Sequence, residues 1–268
     1  MILDAHQPKL FLFDGAFPYR GMLNAIKRTS SMRKVWMRRG MFKRGSRIPS
    51  GSVEFFDTVV HPGDAIPEEE ETMSHNVEVK HVPPILLVDE HEKLTKADSR
   101  SRLGVPEDVI LWYLQLGAGQ INDIESEVRI TVECILASDS SCYIVIGESL
   151  LGQRIDFQHE RVRLLRDYPN SIYFNGVDYS VQAGGYNSFH EMRVSRTPTI
   201  FYPNMRTGMD DQLARCKVAV DEGWGVVVET RTKKNILSSI AEVQCLQRRY
   251  EINTPEEAFD MHWVSSLL

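Results

Sequence analysis

Between Gly15 and Val53 the chain has no Asp or Glu; all 37 of its acidic side chains lie elsewhere. The same stretch holds ten cations: Arg20, Lys27, Arg28, Arg33, Lys34, Arg38, Arg39, Lys43, Arg44 and Arg47. The net charge of −6 therefore conceals a basic segment inside an otherwise acidic chain, and the acidic run 68–71 follows soon after. Such segregation fits either an anionic partner or a solvated basic face. Long apolar runs are also missing, so no segment reaches the ~18 residues needed to span a bilayer. The start, MILDAHQPK, has no basic-then-apolar leader pattern. The four cysteines form no C-x-x-C pair and lie in or beside strand and helix segments. They are expected to be buried reduced thiols in a cytoplasmic protein. No Gly-Lys-Ser/Thr occurs, which excludes a P-loop, and the eight histidines show no metal-ligand spacing. No metal site and no nucleic-acid partner are expected.

What remains is ordinary globular composition, 42% hydrophobic and 25% charged, in a length that suits one large or two small domains. Residues 9–14 read as a short buried strand, 22–32 as a helix, and 34–37, 54–62 and 77–82 as further strands. The polar, turn-rich stretch 89–104 reads as an inter-lobe linker. From residue 105 the rhythm becomes regular. The apolar run 109–116 breaks at Gly117 and Gly119, and a helix follows with Ile124, Val128, Ile135 and Leu136 on one stripe. Strands at 143–146, 162–165, 180–183, 198–202 and 225–229 alternate in part with helices near 185–193, 211–221 and 233–249. Mostly apolar strands in such alternation predict a parallel sheet covered on both faces. Thr254, Pro255 and Glu257 form a capping-box pattern that predicts a last helix over 255–265.

Ligands of open parallel sheets collect at the carboxyl ends of strands, against helix N-termini. Three turns qualify. The first holds Gly117 and Gly119, where small residues let backbone N–H groups approach a phosphate or simply make a tight turn. The second holds Gly184, Gly185, Asn187 and Ser188, with Glu191 one turn further; it fits a diphosphate and a ribose, or a capping box from Ser188 to Glu191. The third holds Asp211 and Gln212, whose acid and amide groups fit sugar hydroxyls or plain helix capping.

Taken together, G-G-x-N-S-x-x-E, the strand P-T-I-F-Y-P and D-D-Q-x-x-R resemble the donor-binding lobe of GT-B glycosyltransferases. The branch most resembled contains the N-acetylglucosaminyltransferase of lipid II synthesis. The resemblance covers roughly residues 105–250. It implies an α/β GT-B fold of two Rossmann-like lobes with parallel sheets, the N-terminal lobe partial. The implied division is an acceptor-side lobe and linker over 1–102, a donor lobe over 103–250, and a helix over 251–268 crossing back.

The resemblance further implies that Gly117, Gly119, Gly184, Gly185, Asn187 and Ser188 approach the diphosphate, Glu191 holds the ribose, and Asp211 and Gln212 touch the donor sugar. UDP-sugar enters as a substrate, with no cofactor. The base that such enzymes draw from the early acceptor lobe has no counterpart here, and Asp14, at a glycine turn, is the substitute. Arg38, Arg39, Lys43 and Arg44 are candidates for an anionic acceptor or a peripheral membrane surface. The competing readings are a sugar-nucleotide 2-epimerase and a donor-binding subunit that needs a partner chain or self-association.

Overall fold

The computed structural model describes residues 2–38, 50–66, 77–117, 124–148, 155–206 and 210–246. They fall into two compact units. The first lies within Met1–Ile85, together with Asp210 and Asp211; the second lies within Leu86–Arg206 and Gln212–Ile252. Gly119, Arg39, Lys43, Arg44 and the expected C-terminal helix lie outside the described residues.

Unit 1 opens with a short helix, α1 (Ile2–His6), which the sequence reading left unassigned. Four parallel strands follow in spatial order β1-β2-β3-β4: β1 (Leu10–Asp14), β2 (Arg33–Met37), β3 (Thr58–Pro62) and β4 (Glu78–Val82). Helix α2 (Arg20–Lys27) connects β1 to β2 and buries Leu23 and Ile26. Its core contact is Trp36, fully buried among Phe13, Phe56 and Val59, with its indole N–H donating to the Gly15 carbonyl at 2.8 Å. Among the described residues β1 is an edge strand rather than a buried one, and Leu12 is 40% exposed.

Unit 2 is a six-stranded, wholly parallel sheet. Its strands are β5 (Leu111–Gln115), β6 (Tyr143–Gly147), β7 (Val162–Leu165), β8 (Tyr179–Gln182), β9 (Thr199–Phe201) and β10 (Gly225–Val227). The spatial order β10-β9-β8-β5-β6-β7 means that the chain leaves the central β5 to one side and returns to the other at β8. That is a doubly wound sheet with its switch point between β5 and β8. Helices α4 (Ile124–Ser138) and α7 (Lys233–Gln244) pack together on one face. There Val128, Val132, Ile135, Ile236, Ile240 and Val243 meet Trp112, Leu114, Val181 and Ile200. Helices α5 (Tyr186–Ser195) and α6 (Gln212–Asp221) pack against one another elsewhere on the sheet.

The stretch expected as a linker is instead helix α3 (Lys96–Leu103), part of unit 2. Thr95 caps its start by accepting from the Asp98 amide, and Gly104 ends it in the left-handed region at φ 63°. It buries Ser99, Arg100 and Leu103, and the largest of these is not apolar. Arg100, 1% exposed, donates to the carbonyls of Gly176, Pro106, Glu107 and Val109 and to the Asp178 carboxylate. An apolar-periodicity reading passes over such a helix. The cysteine expectation holds for Cys134, Cys142 and Cys216, which are buried thiols in no disulfide, but Cys245 at the end of α7 is exposed.

Candidate functional site

Two glycine turns flank the switch point. Gly117 stands two residues past β5 at φ 94°, where a side chain would be strained although nothing lies within 4 Å of a Cβ position. Gly184 and Gly185 follow β8. Gly185 is the N-cap of α5, in an extended conformation (φ −64°, ψ 149°), and the space around its Cβ position is open. Because the helix starts there, Ser188 is its third residue, and the alternative capping box from Ser188 to Glu191 does not form. The first turn of α5 thus begins at a residue without a side chain, and its leading amides carry the positive end of the helix dipole.

Gly184 has a different role. A Cβ there would lie 2.4 Å from the Cys216 Sγ and 3.1 Å from the Gln212 carbonyl, so the turn is pressed against the start of α6. Gln212 opens that helix, and its Oε1 accepts from the Asn204 amide at 2.9 Å. Asp211 is the residue immediately before it. Arg215, fully buried one turn along, donates to the Gly184 carbonyl at 2.8 Å and sits 5.7 Å from the Tyr186 ring. This arginine belongs to the D-D-Q-x-x-R pattern, yet the sequence reading gave it no role. The structure makes it the clamp between the second and third turns.

Glu191 is largely buried, and desolvation raises its pKa from 4.5 to about 7. The Ser171 hydroxyl and the Lys93 ammonium oppose that rise. Behind it lies a buried polar layer. Asn170 donates to the Tyr113 hydroxyl at 2.9 Å, which in turn donates to Gln115 Oε1 at 3.0 Å. Burial pushes the Tyr113 phenol well above its ordinary value, and the Glu191 charge adds to that. Gln182, in register with Gln115, buries an amide whose two polar atoms have no hydrogen-bond partner among the described residues. β6 must end in Gly147, because a Cβ there would lie 2.2 Å from the Tyr113 oxygen. Sequence reasoning gave Glu191 a role and gave none to these neighbours, which come from segments far apart in the chain.

The structure therefore brings Gly184, Gly185, Gln212 and the start of α5 together in unit 2, with Gly117 at the adjoining strand end. Asp14 stands exposed at the end of β1 in unit 1. Arg38 is buried, 5% exposed, with its guanidinium 5.8 Å from the Trp36 ring. Among the described residues no three His, Cys, Asp or Glu side chains converge, and no helix is long and apolar enough to cross a membrane.

No family model matches the chain, and no curated protein matches it in sequence. Solved structures do match. The spinosyn forosaminyltransferase SpnP superposes with a TM-score of 0.61 at 13% identity, over 90% of this chain and 69% of its own. The spinosyn rhamnosyltransferase SpnG, complexed with thymidine diphosphate, gives 0.58 at 12% identity, over 91% and 66%. MurG of Acinetobacter baumannii gives 0.53 at 13%, over 92% and 67%. Identity this low establishes likeness of fold. The fold is the GT-B fold of glycosyltransferases, and the chain spans 66–69% of the length of these neighbours.

Proposed function

We propose that the chain is a glycosyltransferase that takes a sugar from a nucleoside diphosphate donor, UDP-linked in the leading reading, and passes it to a hydroxyl acceptor. The observation that carries this is the glycine N-cap of α5, with open space at its Cβ position, at the switch point of a doubly wound sheet, with the partly buried Glu191 carboxyl on the same helix. In this reading the amides of Gly184, Gly185, Asn187 and Ser188 meet the diphosphate together with Gly117 and with Gly119, which lies outside the described residues. Glu191 accepts from the two ribose hydroxyls, and Asp211 with Gln212 meets the sugar.

In the reaction the acceptor oxygen forms a bond to the anomeric carbon while the bond from that carbon to the β-phosphate oxygen breaks. The diphosphate leaves with the electron pair. Its developing charge falls on fixed N–H dipoles that need no reorganisation, so the reading is metal-independent. The acceptor proton passes to a base, and Asp14 is our candidate.

Calorimetry with UDP and thymidine diphosphate in the presence of EDTA tests the reading. UDP is expected to bind, and Glu191→Ala to weaken it about 10- to 100-fold through loss of hydrogen bonds to a charged acceptor. Unchanged affinity in a folded variant would reduce Glu191 to a structural residue. Donor turnover should then fall in Asp14→Asn with UDP affinity intact; full turnover there removes Asp14 as the base.

A further inference from the structure

The stretch that leads into α3 is laid along the 3-10 turn Asn170–Gly176. Leu94 is tied to that turn by both its backbone groups. Its amide donates to the Ile172 carbonyl at 2.9 Å, and its carbonyl accepts from the Asn175 side chain at 3.0 Å. Just ahead, residues 89–92 form a capped turn in which the Asp89 amide donates to the Glu92 carboxylate at 2.9 Å. Lys93 is held between these two fixed points. Its side chain is 5% exposed, and its ammonium donates to the Glu90 carboxylate at 2.6 Å. The turn beneath it packs against α5, and Asn170 and Ser171 at its start belong to the buried layer around Glu191.

We propose that Lys93 is a positioning residue of the donor site, whose ammonium keeps the Glu191 carboxyl ionised and ready to accept from the ribose hydroxyls. The proposal rests on the donor-site reading of Glu191. Covering an ammonium is costly, and a partner that stays in water returns little of that cost. Glu90 is such a partner, with its side chain 57% exposed. Fold stability is therefore a poor account of why the ammonium is covered at this place. Burial is the largest influence on Glu191 and favours the protonated form, while Ser171 and the Lys93 charge oppose it.

The other polar groups around Glu191 come from several elements. From β5 comes the Tyr113 phenol, which burial holds neutral, and from the turn come Asn170 and Ser171, which do not titrate. On its own helix, His190 is buried against the Tyr186 and Phe189 rings, and Arg193 pairs with Glu222. From α6, Arg215 donates to the Gly184 carbonyl. His91 and Glu92 of the capped turn are exposed. Glu90 and Glu191 thus share the field of one ammonium. Removing Lys93 should make Glu191 harder to ionise. Removing the Glu90 charge should make it easier, because a like charge goes and the ammonium is left uncompensated.

The test has two arms on the full chain. In the first, the glutamate carboxyls carry carbon-13, and the Glu191→Gln spectrum identifies the Glu191 signal, which should titrate at about pH 7. Lys93→Met should raise that midpoint by about half a pH unit or more, and Lys93→Arg should leave it near the parent. Glu90→Gln, altered at an exposed side chain, should lower it. The second arm is calorimetry with UDP over the same pH range. The rise in affinity should follow the same midpoints, with the affinity reached at high pH within about 3-fold of the parent. A residue that only supports the fold would weaken binding at every pH and leave the midpoint in place. Each comparison is between variants of one chain, so charges elsewhere enter it equally. Midpoints that stay fixed in Lys93→Met and Glu90→Gln, or that move without the affinity profile, would overturn the role of Lys93 and leave the donor reading standing. UDP unbound by the parent at every pH would overturn the donor reading and the assignment of Lys93 to it together.

Discussion

Arg100 shows what a single side chain holds in this protein. Its guanidinium satisfies four carbonyls around the entry to β5 and the end of the 3-10 turn Asn170–Gly176. It also pairs with Asp178, whose carboxylate accepts from the Leu111 amide at 2.8 Å. Removing it deprives a half-buried carboxylate of its buried cation and several carbonyls of their donor, so Arg100→Ala should cost about 3–5 kcal/mol in urea denaturation. Arg100→Lys should recover little, because an ammonium cannot reproduce the fork. Glu191 makes the opposite case. Its folded-state pKa of about 7 exceeds the ordinary 4.5, so the folded state holds the proton more tightly. The resulting stability is full below about pH 4.5, drains as the pH rises, and is gone above about pH 7. Glu191→Gln should thus match the parent near pH 4 and be more stable near pH 8, by at most about 3 kcal/mol. Denaturation at both pH values reads this directly. Donor affinity should run the other way and rise between about pH 6 and about pH 8, since the ionised carboxylate is the better acceptor, with the rise absent in Glu191→Gln.

At the scale of elements, the two glycines of the second turn differ in what they tolerate. Gly184→Ala drives a methyl into Cys216 and the start of α6, an overpacking worth about 1–3 kcal/mol. Gly185→Leu meets open space and should leave stability nearly unchanged while it covers the first amides of α5 and weakens UDP binding. Thermal melts beside calorimetry separate the two effects. Both glycines were readable in the sequence, as was β5, because an eight-residue apolar run bounded by glycine has few other uses. The strands of unit 2 alternate with its helices clearly enough for their order along the chain to be read. Helix α3 was hidden, since two of its three buried residues are Ser99 and Arg100, inside a polar stretch. The surroundings of Glu191 were hidden for another reason. Tyr113 of β5, Lys93 from before it, and Asn170 and Ser171 of the β7–β8 crossover come from separate stretches of chain, and no local pattern encodes their meeting. The start of α5 at Gly185 rather than at Ser188 follows from backbone geometry that a capping-box motif does not specify.

At the scale of the whole molecule, the basic stretch of the sequence belongs to unit 1, and the glycine turns belong to unit 2. β1 is an outer strand of the described unit 1 sheet, with Leu12 exposed on it. Open edges with apolar side chains invite strand pairing. Light scattering after size exclusion should therefore show concentration-dependent self-association, and Leu12→Lys should keep the chain monomeric. The central claim is that a nucleoside diphosphate lies on the first turn of α5 at the β5–β8 switch point. Hydrogen–deuterium exchange with and without UDP locates it, because bound amides exchange more slowly. The account predicts slowed exchange at residues 184–190, with a weaker effect at Gly117. Saturating UDP that leaves those amides unprotected, or that protects unit 1 in their place, would contradict it.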